Sequence, residues 1–135
     1  MREIAFIDSL SFSENWSEES YKNMEKDSNY TFFKLYDGEK VIGFILLLYA
    51  VDAYEIIRIA VLPEYRGRGI GEKLIKEAVD FIKEKGIENI FLEVREGNAA
   101  ARKLYEKSGF EECGVRKNYY SNPKENGIIM IKRLS

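Results

Sequence analysis

The sequence predicts a mixed α/β domain: one central sheet, partly parallel, with helices on its faces. Three observations predict it. Residues 72–85 carry an amphipathic helical pattern, with Leu74, Ile75, Ala78, Val79 and Ile82 on one face. That pattern stands between two apolar strand patterns, 55–62 and 89–94, and a strand–helix–strand run joins parallel neighbours. Turn signals at Asp37-Gly38 and Asp52-Ala53, with two closing strand patterns, add antiparallel members to the sheet.

Residues 1–11 are weakly helical, with Ile4, Ile7 and Leu10 three apart. A loop follows, Ser13-Glu14-Asn15-Trp16, and Ser17 is the expected N-cap of a second helix reaching about Lys26. Ser20, rather than a glutamate, occupies the capping-box position. Strands are expected over 30–36, 41–49 and 55–62. The helix over 72–85 closes at Gly86, a glycine C-cap. Residues 89–94 are apolar almost throughout, which predicts a strand buried on both faces. Asn98 caps a short helix, 99–108, closed by Gly109. Two antiparallel strands, 110–120 and 127–134, complete the chain around a loop containing Pro123. No repeat, low-complexity tract or linker interrupts this order, so 135 residues are read as one domain, 1–135.

Composition narrows the functions. The net charge of -2 gives no general attraction to nucleic acid, although a local basic patch stays open. The longest apolar run, 41–51, is too short to cross a bilayer as a helix. The single cysteine, Cys113, forms no internal disulfide, and no leader pattern opens the chain; a cytoplasmic setting is expected. Cys113 lacks any spacing that marks a nucleophile. Histidine is absent, which excludes a Ser-His-Asp triad, a Cys-His pair and histidine metal ligands. A general base must come from a carboxylate, tyrosine, lysine, terminal amine or relayed water.

The sharpest motif is Arg66-Gly67-Arg68-Gly69-Ile70-Gly71, between a strand and a helix. Its glycines bend the backbone tightly and bare its amides, and the helix beyond offers its positive end. That combination cradles a phosphate-bearing ligand. A P-loop is excluded because Glu72 and Lys73 follow the last glycine. A ligand-free tight turn uses the same residues. Glu93 is the anomaly of its strand, Ile90-Phe91-Leu92-Glu93-Val94, because a buried carboxylate is costly unless paired or solvated by a cleft. Two readings stand: a general base of raised pKa, or a structural pair with Arg58 or Arg95. Tyr105 shares a helix face with Ala101, and a core aromatic is its plain reading.

The glycine turn resembles the coenzyme A signature of the GNAT acyltransferase superfamily, (Arg/Gln)-x-x-Gly-x-(Gly/Ala). Residues 98–110 resemble its second signature, Asn-x-x-Ala-x-x-Leu-Tyr-x-x-x-Gly-Phe. Within that superfamily, three sets of segments resemble the ribosomal-protein alanine N-acetyltransferases (RimI-like): Asn15-Trp16-Ser17-Glu18-Glu19; Leu92-Glu93-Val94-Arg95 with Asn98-Ala99-Ala100; and Arg116-Lys117-Asn118-Tyr119-Tyr120 with Ile128-Ile129-Met130. The resemblance covers residues 12–134.

The resemblance implies a GNAT fold and transfer of acetyl from acetyl-CoA, without a metal, to a protein N-terminal amine. It makes Glu93 the general base and Tyr105 the general acid. It assigns coenzyme contacts to Ile59, Ala60, Val61, Arg66, Gly67, Arg68, Gly69, Ile70, Gly71, Glu72 and Asn98. Trp16, Tyr119 and Tyr120 fall beside the acceptor groove. Two departures stand out: the family's first strand is missing ahead of the first helix, and Asn126-Gly127 replaces a region where an acidic residue is common. Monomer and homodimer are both open, since a partner chain could cover the bared sheet edge. Two other functions use the same coenzyme motif: acetylation of a small-molecule amine or lysine side chain, and a non-catalytic acyl-CoA sensor that does not need Glu93 or Tyr105.

Overall fold

A computed structural model describes residues 1–121 and 123–134. Helices α1 (Arg2–Ser9) and α2 (Glu18–Glu25) come first, then strands β1 (Tyr30–Asp37), β2 (Lys40–Ala50) and β3 (Ala53–Val61). Helix α3 (Ile70–Glu84), strand β4 (Asn89–Arg95), helix α4 (Ala99–Lys107) and strands β5 (Glu111–Tyr120) and β6 (Glu125–Arg133) follow. The six strands form one sheet in the order β1-β2-β3-β4-β6-β5. Only β3 and β4 run parallel, joined through α3 as the strand–helix–strand pattern requires. Among the described residues no strand precedes α1, so β1 is an edge of the sheet.

The core has two layers because β2 is covered on both sides. Residues 41–47 of β2 are buried, apart from the side-chain-free Gly43 consisting entirely of apolar side chains. Phe44 meets Tyr21 of α2 on one face, with ring centroids 5.8 Å apart. On the other, Gly43 lets α3 descend onto the sheet: an added Cβ would stand 3.1 Å from the Ala60 carbonyl and 3.3 Å from Leu74. Ile70, Leu74, Ile75, Ala78, Val79 and Ile82 form the buried stripe of α3. This helix starts two residues before the expected Glu72, because Gly69 takes the left-handed N-cap and lets Ile70 join the core.

Three expectations fail for reasons of local geometry. The β1–β2 turn is Gly38-Glu39 rather than Asp37-Gly38, since Asp37 pairs with Lys40. The β2–β3 turn is Val51-Asp52 rather than Asp52-Ala53, since Ala50 pairs with Ala53 and closes a two-residue loop. Both loop residues have positive φ, 50° and 58°, as the hairpin demands. Strand β4 is buried on one face only. Ile90, Leu92 and Val94 point into the core, whereas Phe91, Glu93 and Arg95 are half-buried on the other face. That second face carries no helix at this point and becomes the floor of a cleft.

Candidate active site

Strands β3 and β4 pair only from Tyr54↔Ile90 to Ile56↔Leu92, then part. The cause is local to β3. Across from β2, Leu46 opposes Arg58 and Leu47 opposes Ile56, so Ile57 is an extra residue, a β-bulge directly after the last parallel pair. A bulge bends its strand and sharpens the twist. Beyond it, Ile59, Ala60 and Val61 keep their ladder with β2 and have no strand on their other side. Glu93 lies on β4 one residue past the last pair.

The glycine turn closes the wide end of this gap. Gly67 and Gly69 have φ of 79° and 75°, and a Cβ on either would meet nothing within 4 Å. They are glycines for the backbone they permit, and the space above them is open. The amides of Ile70, Gly71 and Glu72 have no partner inside α3, because a helix start leaves its first N–H groups unpaired. Bare amides, the helix dipole and Arg68 make a site fit for a pyrophosphate. Gly71 differs from its neighbours: its Cβ would come within 3.0 Å of Leu104, so it admits α4 against α3. Arg66 folds back, donating from Nε to the Val61 carbonyl at 3.0 Å. The Asn98 side chain caps α4 by accepting from the Ala101 amide at 3.1 Å.

Glu93 pairs with neither expected partner. Arg95 bridges to Glu125 at 3.2 Å, and Arg58 to Asp8 at 2.5 Å. Glu93 Oε1 instead forms an ion pair with Arg116 Nε of β5 at 2.9 Å, while Oε2 is buried without a hydrogen-bond partner among the described residues. A cavity of about 300 Å³ opens over this carboxylate, floored by Leu48, Phe91 and Ile129 and edged by Glu55, Arg116 and Val51. A carboxylate that lines a cavity and has one oxygen without a hydrogen-bond partner is suited to take a proton or bind an ammonium.

Tyr105 is 7% exposed and packs edge-on against Phe110. Burial pushes its phenol well up, with a smaller push from Tyr120. Like any phenol it is protonated at neutral pH and carries a proton to give. Tyr120 is pushed up to about 12, first by burial and then by Glu93. Its ring stacks on the Arg95 guanidinium at 4.4 Å. Gly127 makes room here: a Cβ would stand 3.3 Å from both the Tyr119 and Tyr120 rings. The Asn126-Gly127 departure thus serves aromatic packing. Trp16 stacks on Arg58 at 3.6 Å and on Tyr21 at 5.7 Å, anchoring the α1–α2 loop.

Sequence reasoning missed Asp8, Arg116 and Glu55. Asp8 is wholly buried and gathers the Trp16 amide at 2.9 Å, the Tyr21 hydroxyl at 2.5 Å and Arg58. The signal was available: an aspartate inside the Ile4–Ile7–Leu10 pattern is as anomalous as Glu93 in its strand. No described helix is long and apolar enough to cross a membrane.

With this geometry in hand, known proteins give the family. The model of the acetyltransferase (GNAT) family matches residues 1–110. The [ribosomal protein bS18]-alanine N-acetyltransferase of Haemophilus influenzae is 41% identical over 118 residues, 85% of this chain and 80% of that protein. The crystal structure of the Escherichia coli ribosomal-protein-S18-alanine N-acetyltransferase superposes with a TM-score of 0.90 at 32% identity, covering 98% of this chain and 86% of the other. An acetyltransferase from Bacillus anthracis, solved with acetyl coenzyme A, gives 0.78 at 30% identity over 90% of this chain and 70% of its own. A strand pair parted by a bulge, a bare-amide turn at its wide end and near-complete alignment with these enzymes place the chain in the GNAT acetyltransferase family.

Proposed function

We propose that this enzyme acetylates the N-terminal α-amine of a protein, with a ribosomal protein as the natural acceptor, by direct transfer from acetyl-CoA. The observation that carries the reading is the parting of β3 from β4 at Ile57, which bares one edge of β3 and sets Glu93 beneath an open cavity. The named activity of the bS18-alanine N-acetyltransferases that align along most of the chain supports the acceptor class.

Acetyl-CoA supplies the acetyl thioester. The backbone from Gly67 to Glu72, with Arg66 and Arg68, holds its pyrophosphate, and the free edge of Ile59, Ala60 and Val61 receives the pantetheine arm as an added strand. Asn98 completes the contacts. Glu93 takes the proton of the arriving ammonium and frees the lone pair that attacks. Amides on the bared edge of β3 stabilise negative charge on the carbonyl oxygen. Tyr105, protonated at neutral pH like any phenol, returns a proton to the departing sulfur. Trp16, Tyr119 and Tyr120 border the acceptor's approach. One domain, 1–135, performs the whole reaction.

Incubation with acetyl-CoA and peptides of differing N-termini, read by mass, tests this. Acetylation on the N-terminal amine is the expected result. No transfer to any peptide amine, or faster transfer to polyamines or amino sugars, overturns the acceptor assignment.

A further inference from the structure

The cleft over Glu93 contains one carboxylate too many. Glu93 is paired with Arg116, the only cation among the lining residues. Glu55 is the second carboxylate of that lining, and it makes no ion pair among the described residues. Its position follows from register. Glu55 opposes Phe91 in the parallel ladder, and Glu93 lies two residues further along β4 on the same face. Two residues of strand amount to about 7 Å. Although Glu55 is largely exposed as a residue, its carboxyl is held above its ordinary pKa, first by burial against the cleft wall and then by Glu93, with Arg116 opposing. The two acids therefore feel each other across an apolar floor of Leu48, Phe91 and Ile129.

We propose that Glu55 is a specificity-determining residue that binds a lysine or arginine side chain at the second or third position of the acceptor chain. The inference rests on the acetyl transfer to a protein N-terminus proposed above. With the α-amine bound at the Glu93 carboxylate, an extended acceptor advances about 3.3 Å per residue, which brings its second or third side chain to Glu55. The apolar floor takes the alkyl stem of such a side chain, and Glu55 meets its charge. A glutamate at the same place meets an uncompensated like charge. The surplus negative charge also draws cationic chain ends into the cleft before they dock.

The test compares peptides identical except for lysine, glutamine or glutamate at the second or third position. The readout is kcat/KM for the wild type, Glu55→Gln and Glu55→Lys, each ratio taken within one enzyme. The wild type is expected to favour lysine over glutamate by about tenfold at low salt, and less as salt screens the pair. Glu55→Gln should cut the ratio below about threefold, and Glu55→Lys should invert it, as charge complementarity requires. Acetyl-CoA affinity by calorimetry verifies that each variant is folded; if Glu55→Lys does not fold, Glu55→Gln decides. A wild type indifferent to charge overturns the inference. So does a ratio that survives both substitutions, or a uniform loss across all peptides, which would assign Glu55 to a step common to every acceptor. Absence of transfer to any peptide overturns the acceptor assignment itself; transfer without charge preference overturns this inference alone.

Discussion

Two carboxylate–guanidinium pairs sit on the same face of the sheet, a few residues apart, with opposite constructions. Beneath α1 and α2, Asp8 has both oxygens occupied and is sealed from water, and its partner Arg58 also donates to the Glu14 carbonyl at 2.8 Å and stacks between Phe12 and Trp16. In the open cleft, Glu93 has one oxygen paired and one unpaired, and Arg116 is half in solvent. The first pair fixes a loop; the second keeps a site available. Saturation of hydrogen bonds, rather than the presence of charge, distinguishes the two pairs.

Asp8→Ala strands a buried guanidinium and the Tyr21 hydroxyl, so the fold should lose about 3–5 kcal/mol, read from urea denaturation. Glu93→Gln should cost the fold under about 1 kcal/mol, because the site around it is only part-satisfied. Its turnover at neutral pH should fall about a hundredfold, with partial recovery as rising pH supplies free amine unaided. Equal stability losses in the two variants would erase the distinction.

Tyr105→Phe removes one hydroxyl and keeps the ring's packing against Phe110. Turnover should fall about tenfold and stay low at high pH, because the missing proton belongs to the leaving group. Unchanged turnover across the pH range would return Tyr105 to a packing role beside Phe110. The same variant bears on stability. The folded phenol ionises above the unfolded value of about 10, so both states are protonated below that pH and stability is intact there. As pH rises past 10 the unfolded chain releases its proton first, and the fold weakens. Urea midpoints from pH 9 to 11 should therefore fall less steeply in Tyr105→Phe than in the wild type.

The smallest effect lies at the cleft's rim. Val51 is a β-branched residue with φ of 50°, 96% exposed. Val51→Asn relieves that conformation and should stabilise the fold by about 1 kcal/mol in the same denaturation assay. No gain would mean that the turn holds Val51 without strain.

What the sequence made legible is what lies close together along the chain. The glycine turn, Glu93 within an apolar run, Ser17 and Asn98 as caps, and Tyr105 on its helix are each set by a neighbourhood of a few residues. The ion pairs were illegible because their partners meet only through the sheet: Asp8 and Arg58 are 50 residues apart. Arg116 reaches Glu93 across β6, past a second irregularity in which Glu112 pairs with Met130 and Gly114 with Ile129. The β2–β3 turn was misplaced by one residue because a valine at positive φ contradicts every local preference.

The extra residue at position 57 has a genetic consequence. Glu55 and Arg58 point to one face of β3 and Ile56 and Ile59 to the other, so excising Ile57 leaves every remaining side chain on its present side. Only the kink disappears, and β3 becomes free to zip further along β4, over the ground where the coenzyme arm is proposed to lie. In a saturation library, position 57 should accept most apolar replacements yet reject an in-frame codon deletion. That deletion is expected to give a more regular sheet and an inert protein.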